Sequence, residues 1–165
     1  MLFPTGAFAI FFALVFLGHW LLVAASRRGG DGWLVLDRLF LLGASMVFYA
    51  HWDWRFCALL LGTGLWAWGM GLFIANTPKQ QRLGLLVLAM EGPLLVLGYF
   101  KYADFFLAEF GAMLSAHGLQ APALLGVVLP VGISFFVFQA ISYIVDVHRG
   151  DARAEASPLN VLVYI

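Results

Sequence analysis

Residues 129–150 read LPVGISFFVFQAISYIVDVHRG, an apolar run about long enough to cross a bilayer that nevertheless carries Gln139, Ser142 and Tyr143 within it. A helix that serves only as an anchor has no need of an amide and two hydroxyls. Hydrocarbon offers no water to satisfy them, so each has to find a partner on a neighbouring helix or face a wet cavity. The stretch therefore belongs to a bundle, and Asp146, His148 and Arg149 mark its return to water.

The rest of the chain has the same character. Apolar residues make up 63% of the 165 residues, charged residues only 11%, and the mean hydropathy is +0.93, well outside the range of soluble domains. The chain is read as an integral membrane protein whose first partner is the lipid bilayer. Nine basic residues balance nine acidic ones, so no field favours nucleic acid as a partner. Cys57 is the single cysteine, which excludes an intrachain disulfide. No CxxC, HExxH, GxSxG or glycine-rich phosphate loop occurs, so no metal site is expected and soluble-enzyme chemistry has no foothold.

A spanning helix needs roughly 17 to 25 mostly apolar residues. Five stretches approach that length: 2–26, 33–50, 56–75, 83–100 and 121–145. RRGGDG separates the first two, HWDWRF ends the second, and NTPKQQ, with Pro78, follows the third. Residues 104–117 are too short to span, but Phe106, Phe110, Met113 and Leu114 recur at helical spacing, which predicts a separate interfacial helix. Pro158 opens LNVLVYI, read as a sixth span, from residue 159, that is cut short.

The first run has no basic residue ahead of it and Arg27 and Arg28 behind it, so it is read as a retained span with an outer N-terminus. Alternation then places Arg27, Arg28, Lys79, Arg82, Arg149 and Arg153 inside and only Arg55 and Lys101 outside, as the positive-inside rule requires.

Glu91 stands near the middle of the fourth span, before Gly92 and Pro93, where the helical ladder is expected to break. A charge at that depth costs at least ~2.5 kcal/mol, so the residue is paired, protonated or functional. The functional reading is a proton or substrate contact in an aqueous cavity. The plainer one is a hydrogen-bonded carboxyl beside a proline bend. Lys101, in GYFKYADFF, ends the same span within an aromatic belt; it either anchors the helix or meets an anionic substrate. Asp37 and Arg38 read as helix-end anchors, His19 as a packed, hydrogen-bonded histidine, and His51 and Asp53 as parts of an ordinary turn. On α-helical spacing Tyr143 shares a face with Gln139.

Taken in order, ASMVFYAHWDWRF, LVLGYFKYADFF and LPVGISFFVFQAISYIVDVHRGD resemble the N-terminal part of the membrane-bound O-acyltransferases, nearest to the bacterial alginate O-acetyltransferase branch. The branch is itself similar to the D-alanine exporters of Gram-positive envelopes. Family members typically read PIGISFYTFQ or E, then xISYxxDVYRG, at the third block. The resemblance covers the chain from about Ser45 onward. It departs at His148, where the family has tyrosine, at His51, where an aromatic residue is common, and at Pro93.

The resemblance implies an all-α, polytopic bundle forming part of a ring of tilted helices around a funnel, in a bacterial inner membrane. It implies a protein about three times this length that transfers acetyl, or another short acyl group, to an envelope polysaccharide. The acyl donor, acetyl-CoA or an acyl carrier, is then a substrate, and no bound cofactor is expected. A periplasmic or carrier protein is the implied partner in acyl transfer. The family's catalytic histidine, which would take a proton from the acceptor hydroxyl, falls beyond Ile165, so no catalytic residue is assigned here. Glu91, Lys101, Gln139, Ser142 and Tyr143 are the candidates for the funnel wall. Two other classes stand beside this one: a small transport or channel subunit with Glu91 and Gln139 along an aqueous path, and a structural membrane subunit without activity.

Overall fold

The computed structural model describes residues 6–29 and 32–165. Leu2 and its neighbours at the start of the expected first span lie outside the described residues, as do Gly30, Asp31 and the side chain of Arg28. The helices are α1 (Gly6–Gly29), α2 (Gly32–Asp53), α3 (Arg55–Asn76), α4 (Arg82–Ala116), α5 (Ile133–Arg149) and α6 (Pro158–Tyr164), with a 3₁₀ turn at Lys79–Gln81. No strand occurs among the described residues. Among the described residues four helices, α1 to α4, are long and apolar enough to cross a membrane, and the protein is a multi-pass membrane protein. Two compact units form: residues 1–68 with 155–165, and residues 69–154.

In the first unit α1 and α2 pair. Phe8 and Phe11 of α1 meet the ring of Phe48 on α2, with centroids 5.9 and 6.0 Å away. Gly18 lets Phe40 close on α1, since a Cβ there would stand 2.6 Å from the Phe40 ring. His19 Nδ1 lies 2.7 Å from Asp37 Oδ1, a pair whose side chains are 34% and 9% exposed. The turn between α2 and α3 is a single residue wide, and Asp53 caps the new helix by accepting the Arg55 N–H at 2.9 Å. Cys57 donates to the Met46 carbonyl across that turn at 3.6 Å. The indole of Trp68 donates to the Glu155 carbonyl at 3.0 Å, and Leu162 of α6 covers Gly64 of α3.

The second unit departs from the sequence expectation in two places. The expected fourth span, 83–100, and all of 104–117 but His117 fall in one helix, α4, of 35 residues, with no separate interfacial helix. Lys101, Tyr102 and Ala103 contain nothing that stops a helix; their charge and aromaticity mark a water boundary, not a helix end. Pro93 lies inside α4 without interrupting it. At 1.5 Å per residue α4 is about 52 Å long, well beyond the roughly 30 Å of hydrocarbon.

The expected fifth span, 121–145, is helical only from Ile133 and then runs on to Arg149. Residues 119–130 have no regular structure. Hydropathy treats this stretch as continuous, but Pro122 and Pro130 disfavour helix at the residues before them, and Gly118, Gly126 and Gly132 adopt φ of +74°, +66° and +76°. The chain is thereby returned along α4: Ala121 and Pro122 cover Gly111, where a Cβ would stand 3.2 Å from that of Ala121. The carboxylate of Asp104 accepts the N–H of Leu125 at 2.8 Å on Oδ1 and that of Val127 at 2.7 Å on Oδ2. Irregular backbone is tolerated at membrane depth only when buried in protein or wet. Asp104, one turn past Lys101, supplies acceptors for two of the backbone N–H groups of this segment.

α5 is a one-sided helix. Ile133, Phe136, Val137, Ala140, Tyr143, Ile144 and Val147 are buried, the i, i+3, i+4, i+7 stripe of a packed face. Gly150, at φ +87°, ends it, with the Asp146 carbonyl accepting the N–H groups of Gly150 and Asp151. α6, seven residues long, starts at Pro158 as its first residue and buries Val161. The segment from residue 159 thus belongs to a short helix packed in the first unit.

Candidate functional site

The polar groups within the apolar helices of the second unit fall on α4 and α5. On α4, the apolar run between Arg82 and Lys101 is roughly 27 Å long at helical rise, and Glu91 stands at its midpoint. Arg82 is turned back to the end of α3, donating from Nε to the Thr77 carbonyl at 2.8 Å and from Nη2 to the Ala75 carbonyl at 3.1 Å. It thereby satisfies carbonyls that the helix end leaves open. At the other end the Lys101 ammonium lies 5.4 Å from the centroid of the Tyr102 ring. From the midpoint of that run and on past Lys101, an open groove of about 490 Å³ follows one face of α4, from Glu91 past Leu95, Gly98, Tyr99 and Tyr102 to Phe106.

The buried positions of α4, Ala89, Pro93, Leu97 and Gly111, lie on the opposite side from Glu91 at 100° per residue. Glu91 is exposed. It is therefore turned away from the packed side of its helix and does not join the polar residues of α5.

On α5, Tyr143 is buried and packs against Gly71 of α3, where a Cβ would stand 2.9 Å from Cε1 and 3.0 Å from the hydroxyl. Gln139 is half-buried at the flank of the same face, and both side chains have interaction partners. Ser142 is exposed on the far side, beside Phe135 and Phe138. The three polar residues of α5 thus separate: Tyr143 packs, Gln139 borders the packed face, and Ser142 looks away from it. Gly71→Ala should cost about 1–3 kcal/mol through overpacking, and Tyr143→Leu in the same chain should recover most of it. A double-mutant cycle of detergent-solubilised unfolding checks the pairing, and additive losses would refute the contact.

Two acid groups have roles that spacing alone does not show. Asp37 is the partner of His19, and Asp104 holds the irregular segment. Helix pairing could have suggested the first, because His19 and Asp37 lie within a few turns of the same connection on consecutive antiparallel helices. No local signal marks the second. Among the described residues no group of three His, Cys, Asp or Glu could hold a metal ion. His148 Nδ1 is buried without a partner among them, and His117 Nδ1 lies 2.9 Å from the Met113 carbonyl.

No family model matches the chain, and no solved structure matches it. Curated proteins do. The chain is 37% identical over its whole length to a probable alginate O-acetylase of Pseudomonas putida, covering 33% of that protein. It is 35% identical, again over its whole length, to the probable alginate O-acetylase of Pseudomonas aeruginosa, of which it covers 30%. The chain belongs to this O-acetyltransferase family. A peptidoglycan O-acetyltransferase of Helicobacter pylori is 33% identical over 90% of the chain and 27% of its own length. The chain spans about a third of the length of the curated relatives it matches. The family agrees with the resemblance carried by the three sequence blocks.

Proposed function

We propose that this chain forms part of a membrane enzyme that transfers acetyl groups to hydroxyls of an envelope polysaccharide, with an alginate-like polyuronate as the acceptor. The observation that carries the reading is the identity to alginate O-acetylases over the whole of this chain, 37% and 35%. The donor is acetyl-CoA or an acylated carrier, the transfer partner a periplasmic or carrier protein, and the membrane the bacterial inner membrane. The N-terminus lies on the outer side, which the distribution of arginines and lysines about the helices supports.

In this reading α4 and α5 supply wall, and the group that moves the acceptor proton lies elsewhere in the protein. Tyr143, seated on Gly71, fixes the rotation of α5. Gln139, at the border of the packed face, offers the amide nearest the acyl path, with Ser142 on the open side. Lys101, at the outer end of the span, attracts an anionic acceptor. Glu91 belongs to the wall through its own helix face.

The test is complementation. A strain lacking its own acetylase, given the complete gene, should regain acetyl groups on its polysaccharide, measured by NMR of the purified polymer. Gln139→Leu should lower acetylation about tenfold, equivalent to ~1.4 kcal/mol, at unchanged protein level. Unchanged acetylation would remove Gln139 from the path. Absence of acetylation in the complemented strain, with the protein present in the membrane and conducting ions in liposomes, would replace the enzyme reading with a transport one.

A further inference from the structure

The carboxylate of Asp104 sits in a cradle of backbone. Its Oδ1 accepts the N–H of Leu125 at 2.8 Å and its Oδ2 that of Val127 at 2.7 Å, one donor to each oxygen. Gly126, between those two residues, has φ +66°, and the flanking N–H groups converge on one side of it, the form of a backbone nest for an anion. The Leu125 bond is exposed and the Val127 bond part-buried, so the cradle opens at the surface. All of these groups belong to the second unit.

The occupant shows what the cradle selects. A neutral amide offers one oxygen to its two donors, and hydrogen bonds to an ionised acceptor are roughly twice as strong as neutral ones. Asp104 also has a second place to go. Lys101 lies one turn before it on α4, about 60° around the helix, within reach of an i, i+3 ion pair. In this structure the Lys101 ammonium lies instead 5.4 Å from the centroid of the Tyr102 ring. Glu109, about 140° around the helix from Asp104, does not share that face. A second anion entering beside Asp104 would meet a like charge, whereas one that replaces it leaves Asp104 to pair with Lys101. We infer that the N–H groups of Leu125 and Val127 are a binding site for a carboxylate of the acceptor polymer, which Asp104 fills as a built-in competitor until the acceptor displaces it toward Lys101. The identity of the ligand rests on the polyuronate reading; the affinity of the cradle for carboxylates does not.

The experiment is amide exchange at Leu125 and Val127 in the complete Asp104→Ala protein in detergent. Sodium acetate, an unacetylated oligouronate or the methyl ester of that oligomer is added, with sodium chloride as the ionic control. Acetate at about ten times its dissociation constant should slow exchange at both amides roughly tenfold. The oligouronate should do the same, while the methyl ester and chloride leave exchange unchanged, and amides within α5 should not respond. Absence of protection by acetate, or equal protection by chloride, would overturn the cradle. Protection by acetate but not by the oligouronate, or equally by the methyl ester, would overturn the acceptor as its ligand. Asp104→Asn, which keeps one acceptor for the segment, gives a second readout in the acetylation assay and decides alone if Asp104→Ala does not fold. Its KM for the oligouronate should fall at least about threefold with kcat within about twofold, because a weaker competitor is displaced. An unchanged KM would overturn the competition. Acetate protection without any acetylation counts against the proposed reaction and leaves the cradle standing.

Discussion

His19→Leu should destabilise the pairing of α1 and α2 by about 3 kcal/mol, the upper end of what it costs to leave a buried polar group without its hydrogen-bond partner. Asp37, with a side chain only 9% exposed, is left in low dielectric without its partner. The loss arises from the stranded carboxylate more than from the missing attraction. Asp37→Leu combined with His19→Leu removes both partners and should return stability to within about 1 kcal/mol of the parent, or above it. Urea unfolding of the complete protein in detergent, followed by tryptophan fluorescence, measures all three. Equal losses in the single and double variants would show that the pair is not what ties these helices.

The second large effect is expected at Asp104. Its carboxylate accepts two backbone N–H groups across 21 and 23 positions of sequence, and hydrogen bonds to a charged group are worth about 1.5–3 kcal/mol each. Asp104→Ala should therefore release the segment between α4 and α5 at a cost of about 3 kcal/mol or more. Amide exchange at Leu125 and Val127 should accelerate by at least a hundredfold, about 2.7 kcal/mol, while exchange within α5 changes much less. Asp104→Asn keeps one good acceptor and should fall between. Protease cleavage confined to residues 119–130 would report the same release. Unchanged exchange at both amides would mean that glycine and proline geometry alone holds the segment.

These two carboxylates also show where sequence reading reaches its limit. Composition is enough for the class, since a chain this apolar has to satisfy its backbone internally and helices do so without partners. The third span is legible nearly to the residue, 56–75 expected against Arg55–Asn76 observed, because polar residues bound it on both sides. Residues 121–145 are a different case. Hydropathy sums side chains, whereas the structure there is decided by backbone torsion at Gly126 and Gly132 and by prolines at 122 and 130. The join between residues 100 and 104 fails for the converse reason: charge reports where water begins, and a helix can continue into water. For the candidate residues, the sequence places Glu91 and Lys101 on one helix and Gln139 with Tyr143 on one face. It does not show that Glu91 turns from the packed side of α4 or that Ser142 and Tyr143 point apart. Those facts depend on which faces neighbouring helices occupy, and that is tertiary information.

The return segment also has a consequence for how this protein can change over generations. Leu124, Leu125 and Val128 are largely exposed, so their bulk and branching are free to drift among apolar residues. The conformation is held by Asp104 and by glycines at 118, 126 and 132, whose left-handed torsions admit glycine, or asparagine at some cost. Related proteins that keep this turn should thus show a fixed skeleton of one acid and three glycines within a variable apolar filling, a pattern in which the least hydrophobic positions are the ones under selection.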